Sequence, residues 1–262
     1  IIPTSSGTIN PFRQISRVET TTTDTWKGVT GEGPKARYRA EGTEADEGEV
    51  KLAQPEIKME SADWWEPAAY ELGQDWSGLE PQLAGMLQRA KDELEADAFL
   101  TGTGEDEPYG LLTDATETVE TAAKDLFTVE DLEALEDDLP DGFLANASFL
   151  GHRLTLKRVR GFTVEGAPIW VKVPGELPEI NGLPAHELSS MAATVKGGDL
   201  ILAFGDFNYF LIVDRLGMSI RFAEQFGENR LPTGQMGVLA LWRNGSKVLS
   251  KKAFRVLKVK AA

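Results

Sequence analysis

Cysteine is absent from this chain of 262 residues, and histidine occurs only twice. The absence of cysteine excludes disulfides, thiolate metal sites and cysteine nucleophiles. Neither His152 nor His186 lies in a metal-ligand motif such as HExxH. Long apolar runs are also missing, which excludes a transmembrane helix, and the N-terminal region has no charged segment followed by the apolar segment of a signal peptide.

Sequence motifs for catalysis are missing as well. No GxSxG elbow occurs, and no lysine follows a glycine-rich loop as in a phosphate-binding loop. The Gly102-Thr103-Gly104 tripeptide follows a helical pattern, whereas a dinucleotide fingerprint must follow a strand. Asp206 and Asp214 flank a predicted strand, which favours turn and strand-end roles over a catalytic pair. We expect a protein that is not an enzyme, with no catalytic, cofactor-binding or metal-binding residues. A soluble α+β enzyme that uses carboxylates is a distant alternative.

The formal net charge is −15, with 41% hydrophobic and 26% charged residues. A strongly acidic chain is unsuited to general binding of nucleic-acid phosphate, although it could still enclose DNA without binding it. Acidic runs lie at residues 41–49, 93–97 and 130–141, whereas only basic charges follow Glu228. For any single run, a solvated face is the favoured interpretation. The alternative is that complementary surfaces meet between copies of the chain.

The N-terminal quarter of the chain has little helical periodicity. Residues 1–27 are β-branched and polar, with prolines at intervals, which predicts an extended arm. Residues 28–58 alternate over 35–39 and 49–52 around a long polar connection, which predicts a protruding hairpin. Because this hairpin has few apolar residues, we expect it to depend on a neighbouring surface for stability.

The strongest helical pattern covers residues 77–100. The segment SGLE at 77–80 matches a capping box, and apolar residues follow at steps of three and four. The helix would be roughly 30 Å long and would end at Gly102. A loop over residues 101–112 follows, and its glycines and proline predict a rigid backbone with close approaches.

The remaining sequence mixes helix and strand patterns. Helices are predicted at 127–139, with Thr128 as N-cap, and at 148–160, with a buried strand at 142–146 between them. The combination predicts an α+β protein. Short strands are predicted at 162–164, 169–173, 200–204, 210–213, 218–223, 236–242 and 253–259.

Three separated blocks resemble the major capsid proteins of tailed phages. The first is AFLTGTG at 98–104 together with PYGLL at 108–112, which is similar to the family's helix-end glycine loop. The second, GDFNYFLIVDRLG at 205–217, resembles a family turn that leads into a strand. The third is LWRNG at 241–245 with KAFRVL at 252–257, which resembles the family's terminal strand region.

The resemblance implies the Hong Kong 97-like capsid fold and a division of the chain into five parts. These are an N-terminal arm at 1–27, an extended loop at 28–58, a peripheral domain at 59–126, an axial domain at 127–223, and a return through the peripheral domain with a final axial strand at 224–262. The arm would embrace a neighbour, and the extended loop would lie over an adjacent subunit. The long helix would be the spine of the peripheral domain.

The resemblance also implies a function. The chain would assemble in the host cytoplasm as pentamers and hexamers into the icosahedral shell of a virion that encloses double-stranded DNA. The implied partners are other copies of itself, a portal protein at one vertex and a decoration protein. The resemblance implies no contact with a membrane. A start at Ile1 without methionine fits a mature, processed form. An encapsulin-like shell around protein cargo is the alternative with the same fold.

The implied contact residues fall in two regions. In the glycine loop they are Phe99, Gly102, Gly104, Pro108, Tyr109 and Gly110, which we expect near a local three-fold position. In the extended loop they are Arg37, Arg39, Glu41, Glu44 and Glu47. Some family members cross-link a lysine to a neighbour's asparagine. The candidates here are Lys35, Lys51, Asn229 and Asn244, but no lysine lies in the loop tip, so we expect no cross-link.

Overall fold

The structure, a computed structural model, describes residues 9–31, 38, 52–69, 79–115, 117–223 and 235–261. Helices and strands are mixed along these ranges, and strands pair both parallel and antiparallel. The predicted α+β class is therefore confirmed. The helices are α1 (Phe12–Ile15), α2 (Leu79–Thr101), α3 (Leu111–Asp114), α4 (Val129–Asp137), α5 (Asp141–Leu144) and α6 (Arg153–Val159).

The strands belong to two main sheets and three small pairs. They are β1 (Arg17–Thr20), β2 (Thr25–Lys27), β3 (Thr30–Gly31), β4 (Leu52–Ala53), β5 (Glu56–Lys58), β6 (Glu60–Ala69), β7 (Thr118–Lys124), β8 (Ser148–Gly151), β9 (Thr163–Val164), β10 (Ala167–Pro168), β11 (Trp170–Val171), β12 (Glu179–Ile180), β13 (Leu183–Glu187), β14 (Leu200–Gly205), β15 (Phe210–Ala223), β16 (Gln235–Val248) and β17 (Phe254–Lys260). Two 3-10 helices, Phe207–Tyr209 and Lys251–Ala253, precede β15 and β17.

The larger sheet has seven strands in the order β11-β12-β13-β8-β14-β17-β7. Its middle strands β8, β14 and β17 are antiparallel, whereas β13 and β7 join as parallel strands. One face packs against apolar side chains of α4 and α6, such as Leu135 and Val159. The other face packs against α1 and the end of α2, where Phe12 and Phe99 are fully buried. The sheet is thus buried between two helical layers.

The second sheet has four strands in the order β1-β15-β16-β6. Its two long strands, β15 and β16, pair antiparallel, with register shifts between Asp214 and Ser219. Helix α2 packs on this sheet through Leu87, which contacts Ala240 and Trp242. The strands predicted separately at 210–213 and 218–223 therefore form one continuous strand, because these register shifts interrupt the alternation without ending the pairing.

The predicted hairpin has a base within the described residues. Strand β2 pairs antiparallel with β5, with Trp26 opposite Ile57, and β3 pairs with β4. The residues between β3 and β4 lie outside the described residues, except for Tyr38. The proposed loop contacts that lie outside them are Arg37, Arg39, Glu41, Glu44 and Glu47.

The described part of the N-terminal arm packs on its own subunit. The ring centroid of Phe12 lies 5.4 Å from that of Phe210 and 6.0 Å from that of Phe99. Strand β1 pairs in parallel with β15. The prediction of an extended arm is wrong for residues 12–15, which form α1, whereas a contact between the arm and a neighbouring subunit stays a prediction. A single aromatic anchor in a polar segment has no periodicity, so the sequence pattern did not reveal its burial.

Two local predictions between residues 142 and 160 are also wrong. Residues 142–146 lie in α5 and the turn that follows it, where the Phe143 amide donates to the Pro140 carbonyl at 2.9 Å. The predicted helix at 148–160 begins only at Arg153, since Ser148–Gly151 form the strand β8. All four residues of β8 are buried, and a strand buried on both faces lacks the alternation that identifies a strand in a sequence.

Candidate functional site

The long helix α2 ends at a backbone contact that only glycine permits. The Gly102 amide still donates to the Ala98 carbonyl at 2.9 Å. A Cβ atom at residue 102 would lie 2.1 Å from the Pro108 carbonyl oxygen and 2.5 Å from that of Ala98. Both neighbours are backbone atoms, which cannot rotate away. The chain can therefore return beside the helix end only because residue 102 has no side chain.

The loop that follows is closed on itself. The Gly110 amide donates to the Gly102 carbonyl at 2.8 Å, and Thr103 and Tyr109 form an isolated antiparallel bridge. Glu107 completes the closure, because its Oε1 accepts from the backbone amide of Thr103 at 2.9 Å and from its hydroxyl at 3.0 Å. Residues 102–110 thus form a compact unit, which we name the glycine loop.

The ring of Tyr109 lies over the backbone of Gly104. Gly104 has φ +82°, and a Cβ there would lie 2.3 Å from the tyrosine ring. Tyr109 itself is 38% exposed, and the Nζ of Lys247 lies 5.4 Å from its ring centroid. The outer surface of the glycine loop is therefore a tyrosine face beside a lysine, with the exposed side chains of Glu105 and Asp106 at the tip.

The glycine loop is tied to the four-stranded sheet and to α3. The Ser246 hydroxyl donates to the Tyr109 carbonyl at 2.7 Å, and the Thr113 hydroxyl donates to the Thr101 carbonyl at 3.0 Å. Asp114, at the end of α3, accepts from the Val248 amide at 3.0 Å. These bonds hold the glycine loop in a fixed position relative to the strands, which suits a surface that must meet a partner in one geometry.

Nearly two turns before the helix end, a charged cluster joins three distant segments. The Arg13 guanidinium donates to both carboxylate oxygens of Glu95, at 2.6 and 2.8 Å, and to both of Asp214, at 2.7 and 3.0 Å. Lys91 lies 3.5 Å from Glu95, and the Asn244 amide donates to Glu95 at 2.7 Å. Burial lowers the pKa of Arg13, but the bonds and charges of the two carboxylates outweigh it and raise that pKa. Arg13 therefore stays charged.

The predicted contact residues in and just before the glycine loop fall into two groups in the structure. Phe99, Gly102 and Gly110 are buried within the subunit, where they shape the helix end. Gly104, Pro108 and Tyr109 lie at or near its surface. Only the second group, with the tip residues Glu105 and Asp106, offers area to another molecule.

The cross-link candidate Asn244 is also buried in the subunit. It is 4% exposed, and its side chain is bonded to Glu95, so it cannot reach the lysine of another copy without breaking the charged cluster. The other candidates, Lys35, Lys51 and Asn229, lie outside the described residues.

The other two motif blocks hold turns in place. Asp206 caps the 3-10 helix before β15, since its Oδ1 accepts from the Asn208 amide at 3.0 Å. Arg255, nearly buried in β17, pairs with Glu117 at 2.5 Å and with Asp138. Asp206 thus lies at the turn predicted for it, and Arg255 connects β17 to the segments that hold Glu117 and Asp138.

Sequence analysis missed the charged cluster of Arg13, Glu95 and Asp214. Arg13 is 82 positions from Glu95 and 201 positions from Asp214 in the sequence, so no local motif contains the cluster. The acidic run at 93–97 includes Glu95, but nothing in the run distinguishes it from its exposed neighbours. A buried carboxylate in an otherwise solvated run becomes visible only once the helix is packed.

Across the described ranges, no group of three or more histidine and carboxylate side chains is arranged to hold a metal ion. Among the helices of those ranges, none is long and apolar enough to cross a membrane.

Comparisons with known proteins agree over the whole chain. A family model described as "Phage capsid family" matches residues 2–259. No curated protein matches the sequence. Among solved structures, the capsid of an empty GTA particle computed with C5 symmetry is similar with a TM-score of 0.83 and 22% identity, covering 100% of this chain and 96% of that chain.

Phage structures are similar over nearly the same length. A chain of Gordonia phage Cozz gives a TM-score of 0.69 at 16% identity, covering 100% of this chain and 90% of that chain. A chain of Mycobacterium phage Adephagia gives 0.70 at 12% identity, covering 98% and 92%. These likenesses confirm the capsid fold expected from the glycine loop and the two later blocks. The family model matches almost the entire sequence, which shows the family directly. The chain therefore belongs to the phage capsid family and is a structural component of a virion rather than an enzyme.

Proposed function

We propose that this protein is the major head protein of a tailed phage, and that it assembles as pentamers and hexamers into an icosahedral shell around double-stranded DNA. The family match over residues 2–259 is the observation that carries this proposal. A closed shell needs one surface to meet a different surface of the next copy, repeatedly and with curvature. Portal and decoration proteins are the further partners, and assembly takes place in the host cytoplasm.

We further propose that the two sheets correspond to the two domains expected from the sequence. The four-stranded sheet with α2 forms the peripheral domain, and the seven-stranded sheet with α4 and α6 forms the axial domain. Sheet membership supports moving two boundaries. Strand β7 lies in the seven-stranded sheet and so joins the axial domain, whereas β15 lies in the four-stranded sheet and so joins the peripheral domain.

The glycine loop is the proposed contact between neighbouring capsomers. Its backbone is closed by the Gly110–Gly102 bond, and the Ser246–Tyr109 bond fixes it to the sheet. A surface that is rigid before assembly loses little conformational entropy when it binds, which favours a repeated contact of defined geometry. The proposed contact surface consists of the exposed Glu105 and Tyr109 with the half-buried Gly104 and Pro108.

Electron microscopy of the purified assembly tests the proposed function. We expect closed shells with five-fold vertices and, in infectious particles, a DNA-filled interior. Small shells filled with protein cargo would instead indicate the encapsulin-like alternative. A chain that sediments as a monomer or a small oligomer under all assembly conditions would contradict both.

A further inference from the structure

A small cavity lies between α6, the strands β11 and β13, and the N-terminal segment. Its volume is about 230 Å³, and the cations Arg153, Arg160 and Lys172 contribute to its wall. Drug-sized ligands occupy pockets of about 300–1,000 Å³, so this cavity suits a smaller group. It lies on the axial part of the chain, far in sequence from the glycine loop.

The three cations are not neutralised within the described part of the subunit. No ion pair joins Arg153, Arg160 or Lys172 to a carboxylate among the residues that the structure describes. All three residues are exposed, so each is free to contact a molecule in solution. Three unpaired cations around one cavity produce a positive potential there, which favours an anion.

Arg160 lies over an aromatic ring. Its guanidinium lies 4.8 Å from the ring centroid of Trp170. A guanidinium stacked on an aromatic face keeps its N–H groups free in its own plane, so Arg160 can still donate two parallel hydrogen bonds to an oxyanion.

A buried histidine completes the wall. His186 is 9% exposed and lines the cavity, and its ring has no hydrogen-bond partner among the described residues. Burial lowers the pKa of His186, so the ring is neutral near pH 7 and offers one N–H donor. Glu187 also lines the cavity and is the one acidic side chain in its wall.

We propose that this cavity binds a phosphate group through Arg153, Arg160, Lys172 and His186. The donors lie in or directly after α6, directly after β11 and in β13, so three separate elements surround the cavity, and a tetrahedral phosphate has oxygens to accept from each. A planar carboxylate from another copy of the chain has only two oxygens, so it could accept from fewer of these donors. The phosphate is either a free ion or a phosphodiester of DNA, and the second source rests on the proposed function.

The test is a calorimetric titration of the full-length chain with inorganic phosphate at constant ionic strength. We expect saturable binding with one site per chain. Arg160→Gln and Lys172→Gln should each weaken it about tenfold, since each removes a charge-assisted hydrogen bond. Arg158→Gln is the matched control, because Arg158 is an exposed cation two residues before Arg160 that does not line the cavity. Arg160→Lys should retain part of the affinity.

A second titration with a short DNA duplex distinguishes the two sources. If Arg160→Gln and Lys172→Gln weaken duplex binding while Arg158→Gln does not, the phosphodiester is the ligand. If only inorganic phosphate responds, the ligand is the free ion. The proposal is overturned if phosphate does not bind saturably, or if Arg158→Gln weakens binding as much as Arg160→Gln does.

Electron microscopy of the same preparations keeps this result separate from the proposed function. Shells that form normally while phosphate fails to bind would reject the cavity proposal alone. Phosphate binding by a chain that never forms shells would reject only the proposed function.

Discussion

The Arg13 guanidinium bridges the carboxylates of Glu95 and Asp214 with four hydrogen bonds between 2.6 and 3.0 Å. Glu95 is 2% exposed, so its carboxylate has exchanged water for these hydrogen-bond partners. The bridge fixes the N-terminal segment to α2 and to β15 at once. It therefore sets the position of the chain entry relative to the helix that ends in the glycine loop.

Removing this guanidinium should destabilise the subunit strongly. Arg13→Gln leaves the buried carboxylate of Glu95 with only Lys91 and Asn244 as partners, and we expect a loss of about 3 kcal/mol in the free energy of unfolding. Urea denaturation of dispersed subunits measures this. Arg17→Gln is the control, because Arg17 forms an exposed pair with Glu19 and should cost less than about 1 kcal/mol. Equal losses for the two variants would contradict a structural role for the cluster.

Two glycines of the same region should respond oppositely to alanine. Gly102→Ala places a methyl group against the Pro108 carbonyl, so we expect a loss of about 3 kcal/mol or more. Gly85 lies within α2 with open space around it, and Gly85→Ala should stabilise by about 0.5–1 kcal/mol through helix propensity. Thermal unfolding of both variants measures the difference. A Gly102→Ala protein as stable as the parent would show that the close approach is not required.

Stability should fall as the pH rises through the titration of Glu136. Burial raises the pKa of Glu136 from 4.5 to about 7. The hydrogen bond from Asn181 lowers this pKa, whereas the nearby charges of Asp137 and Glu133 raise it. Below pH 4.5 the carboxyl is protonated in both folded and unfolded chains, so it costs nothing. Above pH 7 it must be ionised in the fold, at a cost of about 1 kcal/mol after solvent screening.

Glu136→Gln isolates this effect, because the amide oxygen can still accept from Asn181. The variant should be more stable than the parent at pH 8 and equally stable at pH 4, as measured by urea denaturation at both pH values. Glu130→Gln is the control, since Glu130 is exposed on the same helix. A stability difference that is independent of pH would mean that ionisation of Glu136 is not the cause.

Charge reversal at the tip of the glycine loop should block assembly without unfolding the subunit. Glu105 is exposed and its side chain holds no partner within the described residues, so Glu105→Lys should change stability by less than about 0.5 kcal/mol. In a repeated contact the reversed charge would be unmatched in every copy, and we expect few or no closed shells by electron microscopy. Glu105→Asp keeps the charge and should assemble. Normal shells from Glu105→Lys would place the contact elsewhere.

Assembled shells should contain no covalent cross-links. Asn244 is bonded inside the subunit, and no lysine occurs in the sequence between residues 36 and 50. We therefore expect a single monomer band when intact shells are denatured and separated by electrophoresis. A ladder of multimers would reject this, and mass spectrometry of the ladder would identify the linked residues.

Local patterns in the sequence are enough to define the long helix and its end. Spacing of apolar residues predicted a helix to residue 100, and the structure ends it at Thr101. Thr128 was correctly predicted as an N-cap, and it forms a capping box with Asp131. Such signals are local, because a cap, a turn or a helical face depends on residues within a few positions of one another. The glycine loop was found for the same reason.

Which polar residues become buried partners depends on how distant segments pack together. Arg13, Glu95 and Asp214 are ordinary charged residues in the sequence, and their pairing depends on three segments meeting in space. Strand β8 was hidden for a related reason, since its burial on both faces comes from its neighbours β13 and β14. The cavity around His186 likewise exists only where α6 packs beside β11 and β13. Local chemistry thus fixed the elements, whereas long-range packing fixed the charge pairs and the cavity.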